Sequence, residues 1–218
     1  MRALRRASAG ENVSRSRIEA FSDGVFAIVV TLLVFEIKPP TLEDGESAWE
    51  LTYMLGALAP NFVSWVISFV TVCVIWLNHC RILDLIAEID DRLFWLNVNM
   101  LLWTSFLPFP TALMGDYPTN QLAVTIYGVA MLLVGISFIL IRVQLHRQPE
   151  LLRDDVDRAQ FRTGTVYSIV LGPASYIVAI ALGFVHEAFA FVCYGAVALY
   201  WVFPHATRAG TTTKVGGR

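Results

Sequence analysis

Arg17, Glu19, Ser22 and Asp23 crowd the start of an otherwise apolar run that continues to Ile37. A charge at membrane depth costs ~2.5–3.5 kcal/mol on insertion scales unless it is partnered or hydrated. Groups of this kind therefore mark an anchoring network, an ion path or a proton relay. Past Asp23, the residues Ile28, Leu32 and Phe35 recur at i, i+4 and i+7, with Thr31 beside them. On a helix that spacing draws one bulky apolar ridge. A polar mouth leading into such a ridge suits a pore with a hydrophobic neck, which gates by dewetting. Arg17 and Asp23 stand ~240° apart around a helix of 3.6 residues per turn, so they cannot pair with each other. Partners from other segments are Asn78, His79, Asn97 and Asn99. A network of Arg17, Ser22, Asp23, His79 and Asn97 would satisfy donors and acceptors that lipid cannot.

Other chemistries find little support. His79, His146, His186 and His205 do not cluster by spacing, and Cys73, Cys80 and Cys193 are too scattered for a zinc site or a disulfide framework. Ser22 has no nucleophile-elbow context. Asp155 and Asp157 begin no calcium-loop series and read as solvated surface charges. No catalytic residues, metal or cofactor are expected, and the chain does not read as an enzyme. A formal charge of −2 gives no nucleic-acid footprint.

The elements that position these groups are membrane helices. The chain is 56% hydrophobic and only 16% charged, with a mean hydropathy of +0.59, which is polytopic rather than soluble composition. Six apolar segments are predicted: 18–37, 51–77, 93–114, 120–141, 163–185 and 188–205. The first ends at Lys38-Pro39-Pro40, because proline cannot continue a helix. Pro108 and Pro110 are expected to bend the third, and Gly172-Pro173 to interrupt the fifth. A charged connector, 142–162, is expected to hold a helix extension and a short surface helix. Of the 16 Lys and Arg residues, all but Lys38 then fall on one side. The positive-inside rule places both termini in the cytoplasm, in a multi-pass protein of the plasma membrane. The fold class is thus all-α, with six transmembrane helices in residues 17–206, a flexible arm at 1–16 and a disordered tail at 207–218. The acidic loop with Glu43, Asp44 and Glu46 would lie at the outer mouth. The polar-mouthed helix occurs once, so one chain supplies a single pore wall, which by itself encloses nothing.

Arg17-x-x-x-Phe21-Ser22-Asp23 at the head of the first segment resembles the signature of the transmembrane protein 175 family of potassium channels, in its short bacterial form. The similarity continues through Gly24 to Leu33, through Trp76-x-x-His79, through Asn97 and through Pro108-Phe109-Pro110, in that order. The resemblance implies a six-helix subunit that forms a homotetramer in the lipid bilayer, with four first helices around a central pore for permeant monovalent cations. It implies rings of Ile28, Leu32 and Phe35 as the narrow points, Ile28 innermost and Thr31 offering hydroxyls nearby. Phe35 departs from the aliphatic residue more usual there. Arg17, Phe21, Ser22, Asp23, Trp76, His79 and Asn97 would tie the pore helix to the second and third helices. Potassium, more weakly hydrated than sodium, would lose less at an apolar neck, so a modest potassium preference is expected. The competing expectation is a proton-conducting or proton-coupled secondary transporter, with Asp23, Arg17 and His79 as the relay. Such carriers usually show inverted repeats and broken midplane helices; Gly172-Pro173 is the single break of that kind, and no repeat partner is evident.

Overall fold

A computed structural model describes residues 14–41 and 47–202. Among these residues the chain is helical, apart from one isolated antiparallel bridge between Ile86 and Leu152. Helix α1 runs Arg15–Leu32 and tightens into a 3-10 turn, Leu33–Glu36. There follow α2 (Ala48–Ala57), α3 (Ala59–Leu83), α4 (Asp91–Ser105), α5 (Pro108–Asp116) and α6 (Gln121–Arg147). A 3-10 turn at Pro149–Leu151 precedes α7 (Arg158–Leu171), α8 (Pro173–Gly183) and α9 (Glu187–Val202). Three stretches are long and apolar enough to cross a membrane: Arg15–Glu36, Ala59–Leu83 and Gln121–Arg147.

The remaining apolar segments are broken or short, and proline sets the breaks. Pro108 and Pro173 each occupy the first position of a new helix, where the missing N–H would have had no partner. The expected bend in 93–114 is therefore a full interruption at Phe106 and Leu107. In the expected second span, 51–77, the chain instead forms the short α2 and then α3, because Pro60 opens a new first turn after Leu58. Helix α3 continues six residues beyond the expected end, to Leu83, which places Asn78, His79 and Arg81 on the helix. Helix α1 begins at Arg15, inside the stretch expected to be a flexible arm. Residues 1–13, the expected tail 207–218, and Glu43, Asp44 and Glu46 lie outside the described residues.

Side-chain caps fix the other helix starts. Asp90 accepts from the Leu93 amide at 2.7 Å, and Asn120 from the Leu122 amide at 2.9 Å. Ser47 and Glu50 form a reciprocal capping box on α2. The Ser47 amide and hydroxyl, both donating to Glu50, hold its carboxyl below the ordinary glutamate range.

The core runs along α3, α4 and α6, with α1 packed on α3 and α4. Helix α6 approaches α8 and α9 closely at Gly128, where a Cβ would collide with the Tyr194 hydroxyl and lie 2.6 Å from Ile180 Cγ1. Tyr194 in turn donates to the Val124 carbonyl at 3.0 Å, so the close approach is locked by a buried hydrogen bond.

Candidate functional site: the first helix and its anchor

Helix α1 has two faces of different character. Ile18, Ser22, Phe26, Val29 and Leu33, spaced by four, four, three and four residues, are buried against α3 and α4. Outside that face, Ile28 is 59% exposed, Leu32 44% and Phe35 75%. Phe21, Gly24 and Thr31 lie exposed on the same side. The Thr31 hydroxyl lies 3.1 and 2.9 Å from the carbonyls of Ala27 and Ile28 and donates back to them, which keeps the polar group tied to the helix. Phe35 sits in the 3-10 turn rather than in the α-helix, so its direction departs from the α-helical i+7 line.

Polar side chains clamp the buried face. Asn97 on α4 donates through Nδ2 to Ser22 Oγ at 3.1 Å, leaving its Oδ1 as acceptor for His79 Nε2 at 2.8 Å. That arrangement fixes the Nε2–H tautomer of His79. Ser22, His79 and Asn97 are all buried, with exposures of 0%, 2% and 5%, so a single chain of donors joins α1, α3 and α4 inside the subunit. The Phe26 ring covers the imidazole, with centroids 5.4 Å apart. Asp23 belongs to a second, outer contact: Trp76 Nε1 donates to its Oδ1 at 2.8 Å.

The expected network therefore divides in two, and Arg17 enters neither half. Arg17 is exposed and its side chain has no hydrogen bond or ion pair among the described residues. The cation that anchors the end of α1 is Arg15, two residues earlier and thus ~200° around the helix. Its Nε donates to Glu19 at 2.6 Å, Nη1 to the Ile86 carbonyl at 2.7 Å, and Nη2 to Asp84 at 3.4 Å. The Arg15-x-x-x-Glu19 spacing was a visible signal for the first of these contacts. Nothing local announces the Ile86 carbonyl, which is presented by the loop that bridges to Leu152. Farther along α3, Thr111 donates to Ser68 at 2.7 Å, and Ser68 lies 3.3 Å from the Tyr127 hydroxyl. This second buried polar cluster joins α3, α5 and α6, and single serines and threonines gave no sequence pattern for it.

The order of these elements has counterparts among known proteins. The family model of the endosomal/lysosomal potassium channel TMEM175 matches residues 17–108, the span that holds α1, its anchor and Pro108. A protein of Chamaesiphon minutus named a potassium channel is 37% identical, over 81% of this chain and 88% of that one. The chain belongs to the TMEM175 family. A second relative, from Streptomyces collinus and also named a potassium channel, is 32% identical over 86% of this chain and 91% of its own. The crystal structure of a lysosomal potassium-selective channel TMEM175 homolog from Chamaesiphon minutus superposes with a TM-score of 0.76. It is 34% identical and covers 86% of this chain and 96% of that one. The human endosomal/lysosomal proton channel TMEM175 is 26% identical over 76% of this chain, which spans 34% of that longer protein. Membership of the TMEM175 family makes this chain a membrane protein of a channel family and not an enzyme.

Proposed function

We propose that four copies of this chain form a passive potassium channel, with the four α1 helices around a shared pore. The observation that carries this reading is the two-faced α1. Its inner face is fastened by Ser22, Asn97 and His79, while Ile28, Leu32 and Phe35 stand uncovered by their own subunit. An apolar stripe that a subunit clamps in place but leaves bare suits a surface shared with sister copies. Rings of Ile28, Leu32 and Phe35 would then form a neck that drains when narrow, with Thr31 hydroxyls beside the path. Modest preference for potassium over sodium follows from the smaller hydration loss, and no cofactor is required.

Six crossings are made by α1, α3, α4 with α5, α6, α7 with α8, and α9. Arg15, Asp84, Ile86 and Leu152 meet at one end of the subunit, and Lys38 follows the far end of α1. With the arginines of the connector near Leu152, the positive-inside rule puts that end, and both termini, in the cytoplasm of a plasma-membrane protein.

The test is flux through the purified protein in liposomes. A channel dissipates a potassium gradient without a coupled ion, and Ile28→Asn alters the rate and the potassium-to-sodium ratio. Strict stoichiometric exchange, or an Ile28→Asn variant with unchanged flux and ion ratio, would sink the proposal. Proton conduction is the second reading, favoured by the name of the human relative. A pH-sensitive dye inside the same liposomes separates the two.

A further inference from the structure

Arg142 lies on α6, five residues before the helix ends at Arg147. That is ~8 Å along the axis of a helix ~40 Å long, which must cross a hydrocarbon core of ~30 Å. The guanidinium therefore sits near the level where hydrocarbon meets headgroups. The side chain is only partly exposed. Its Nε is buried and has no hydrogen-bond partner, Nη1 has only the Thr165 hydroxyl at 3.4 Å, and Cζ lies 5.6 Å from the centre of the Phe161 ring. That hydroxyl is already shared, since it donates to the Phe161 carbonyl at 2.9 Å and lies 3.1 Å from His146 Nε2. Among the described residues Arg142 has no ion pair. A partly buried cation with no anion, and with its Nε unpartnered, leaves donors that an anionic ligand would satisfy.

Beside Arg142 opens a cavity of about 100 Å³ between α3, α6 and the α7–α8 break. Asn78 lines it at the polar end, and Val74, Val134, Phe138 and Pro173 line the apolar remainder. One cation and one amide at the membrane boundary, with an apolar slot running inward, match a phosphate on a hydrocarbon chain. A free phosphate would use only the polar end. Basic pockets between helices on the cytoplasmic side are general sites for anionic headgroups.

We propose that this cavity binds an anionic phospholipid of the inner leaflet, its headgroup phosphate on Arg142 and Asn78 and part of one acyl chain in the slot. The inner-leaflet assignment rests on the orientation given under the proposed function; the site itself does not.

The test is lipid retention by the purified full chain in detergent, read by native mass spectrometry. Phosphatidylglycerol, phosphatidylcholine and inorganic phosphate are the three probes. The expected result is tight retention of phosphatidylglycerol, weaker by about tenfold in Arg142→Gln and partly restored in Arg142→Lys. Val74→Phe fills the slot while keeping the cation, and is expected to weaken retention as well. It carries the test if Arg142→Gln does not fold. Equal retention of phosphatidylcholine, displacement of the lipid by inorganic phosphate, or wild-type retention in either Arg142→Gln or Val74→Phe overturns the site. Retention is read without any ion flux, so its failure and a failure of channel activity are separate results.

Discussion

The indole of Trp76 donates to the carboxylate of Asp23 across 2.8 Å, while one residue earlier on α1 the Ser22 hydroxyl turns inward to Asn97. Adjacent residues on one helix thus serve two different contacts, because each step turns the side chain by ~100°. Asp23 holds α1 to the outer face of α3; Ser22 holds it to the interior. The Trp76–Asp23 contact is exposed, so its coupling should be modest. A double-mutant cycle of Asp23→Ala and Trp76→Phe is expected to give ~1 kcal/mol in thermal or denaturant unfolding. Strict additivity would mean that the contact does not hold the helices together.

Removing Asn97 strands two buried groups at once. Asn97→Ala leaves the His79 N–H and the Ser22 hydroxyl without their partner, at an expected cost of about 1–3 kcal/mol. Ser22→Ala removes one acceptor and should cost less, on the order of 0.6 kcal/mol, the average found for hydrogen bonds inside membrane bundles. Unfolding midpoints in detergent decide the order; a Ser22→Ala loss larger than the Asn97→Ala loss would contradict it.

Arg15 and Arg17 should separate in the same assay. Arg15→Ala gives up contacts to Glu19, Asp84 and the Ile86 carbonyl, and is expected to lower the midpoint clearly. Arg17→Ala removes no contact within the described subunit and should change its stability by about 0.5 kcal/mol or less. An equal loss for the two variants would show that Arg17 has a partner the single subunit does not display.

Cysteine scanning distinguishes the faces of α1. With Cys73, Cys80 and Cys193 replaced by serine, single cysteines at Ile28, Thr31 and Leu32 are expected to react with an aqueous thiol reagent. Those at Phe26, Val29 and Leu33 should not, since these positions are buried in the subunit. Unreactive cysteines on the ridge as well would place it in lipid.

The capping box of α2 supplies a pH dependence with a definite sign. Glu50 is held below the ordinary glutamate range by its bonds from Ser47. A depressed carboxyl stabilises the folded form above its unfolded value, and that contribution is lost as pH falls through the lowered value. Protection of the first-turn amides of α2, taken as exchange relative to the intrinsic rate at each pH, should therefore fall at low pH. Ser47→Ala, which keeps the backbone donor, should weaken the dependence, and Glu50→Gln should remove it. A protection factor that does not vary with pH would show that the cap is not formed in solution.

Much of this protein could be read in one dimension. The apolar segments, the Pro39-Pro40 stop, the break at Gly172-Pro173 and the motif from Arg17 to Asp23 all depend on local chemistry: helix period, proline geometry and the cost of charge in lipid. The ridge of Ile28 and Leu32 beside a buried face was legible for the same reason, since it follows from 3.6 residues per turn. The tertiary structure decided which polar groups meet. It assigned Asn97 to both Ser22 and His79, gave Asp23 to Trp76, and chose Arg15 over Arg17 as the anchor. Those choices depend on azimuth and on contacts 18 to 75 residues apart in the chain. Spacing along a single helix constrains azimuth within that helix and says nothing of which neighbour stands opposite. Packing alone supplies that.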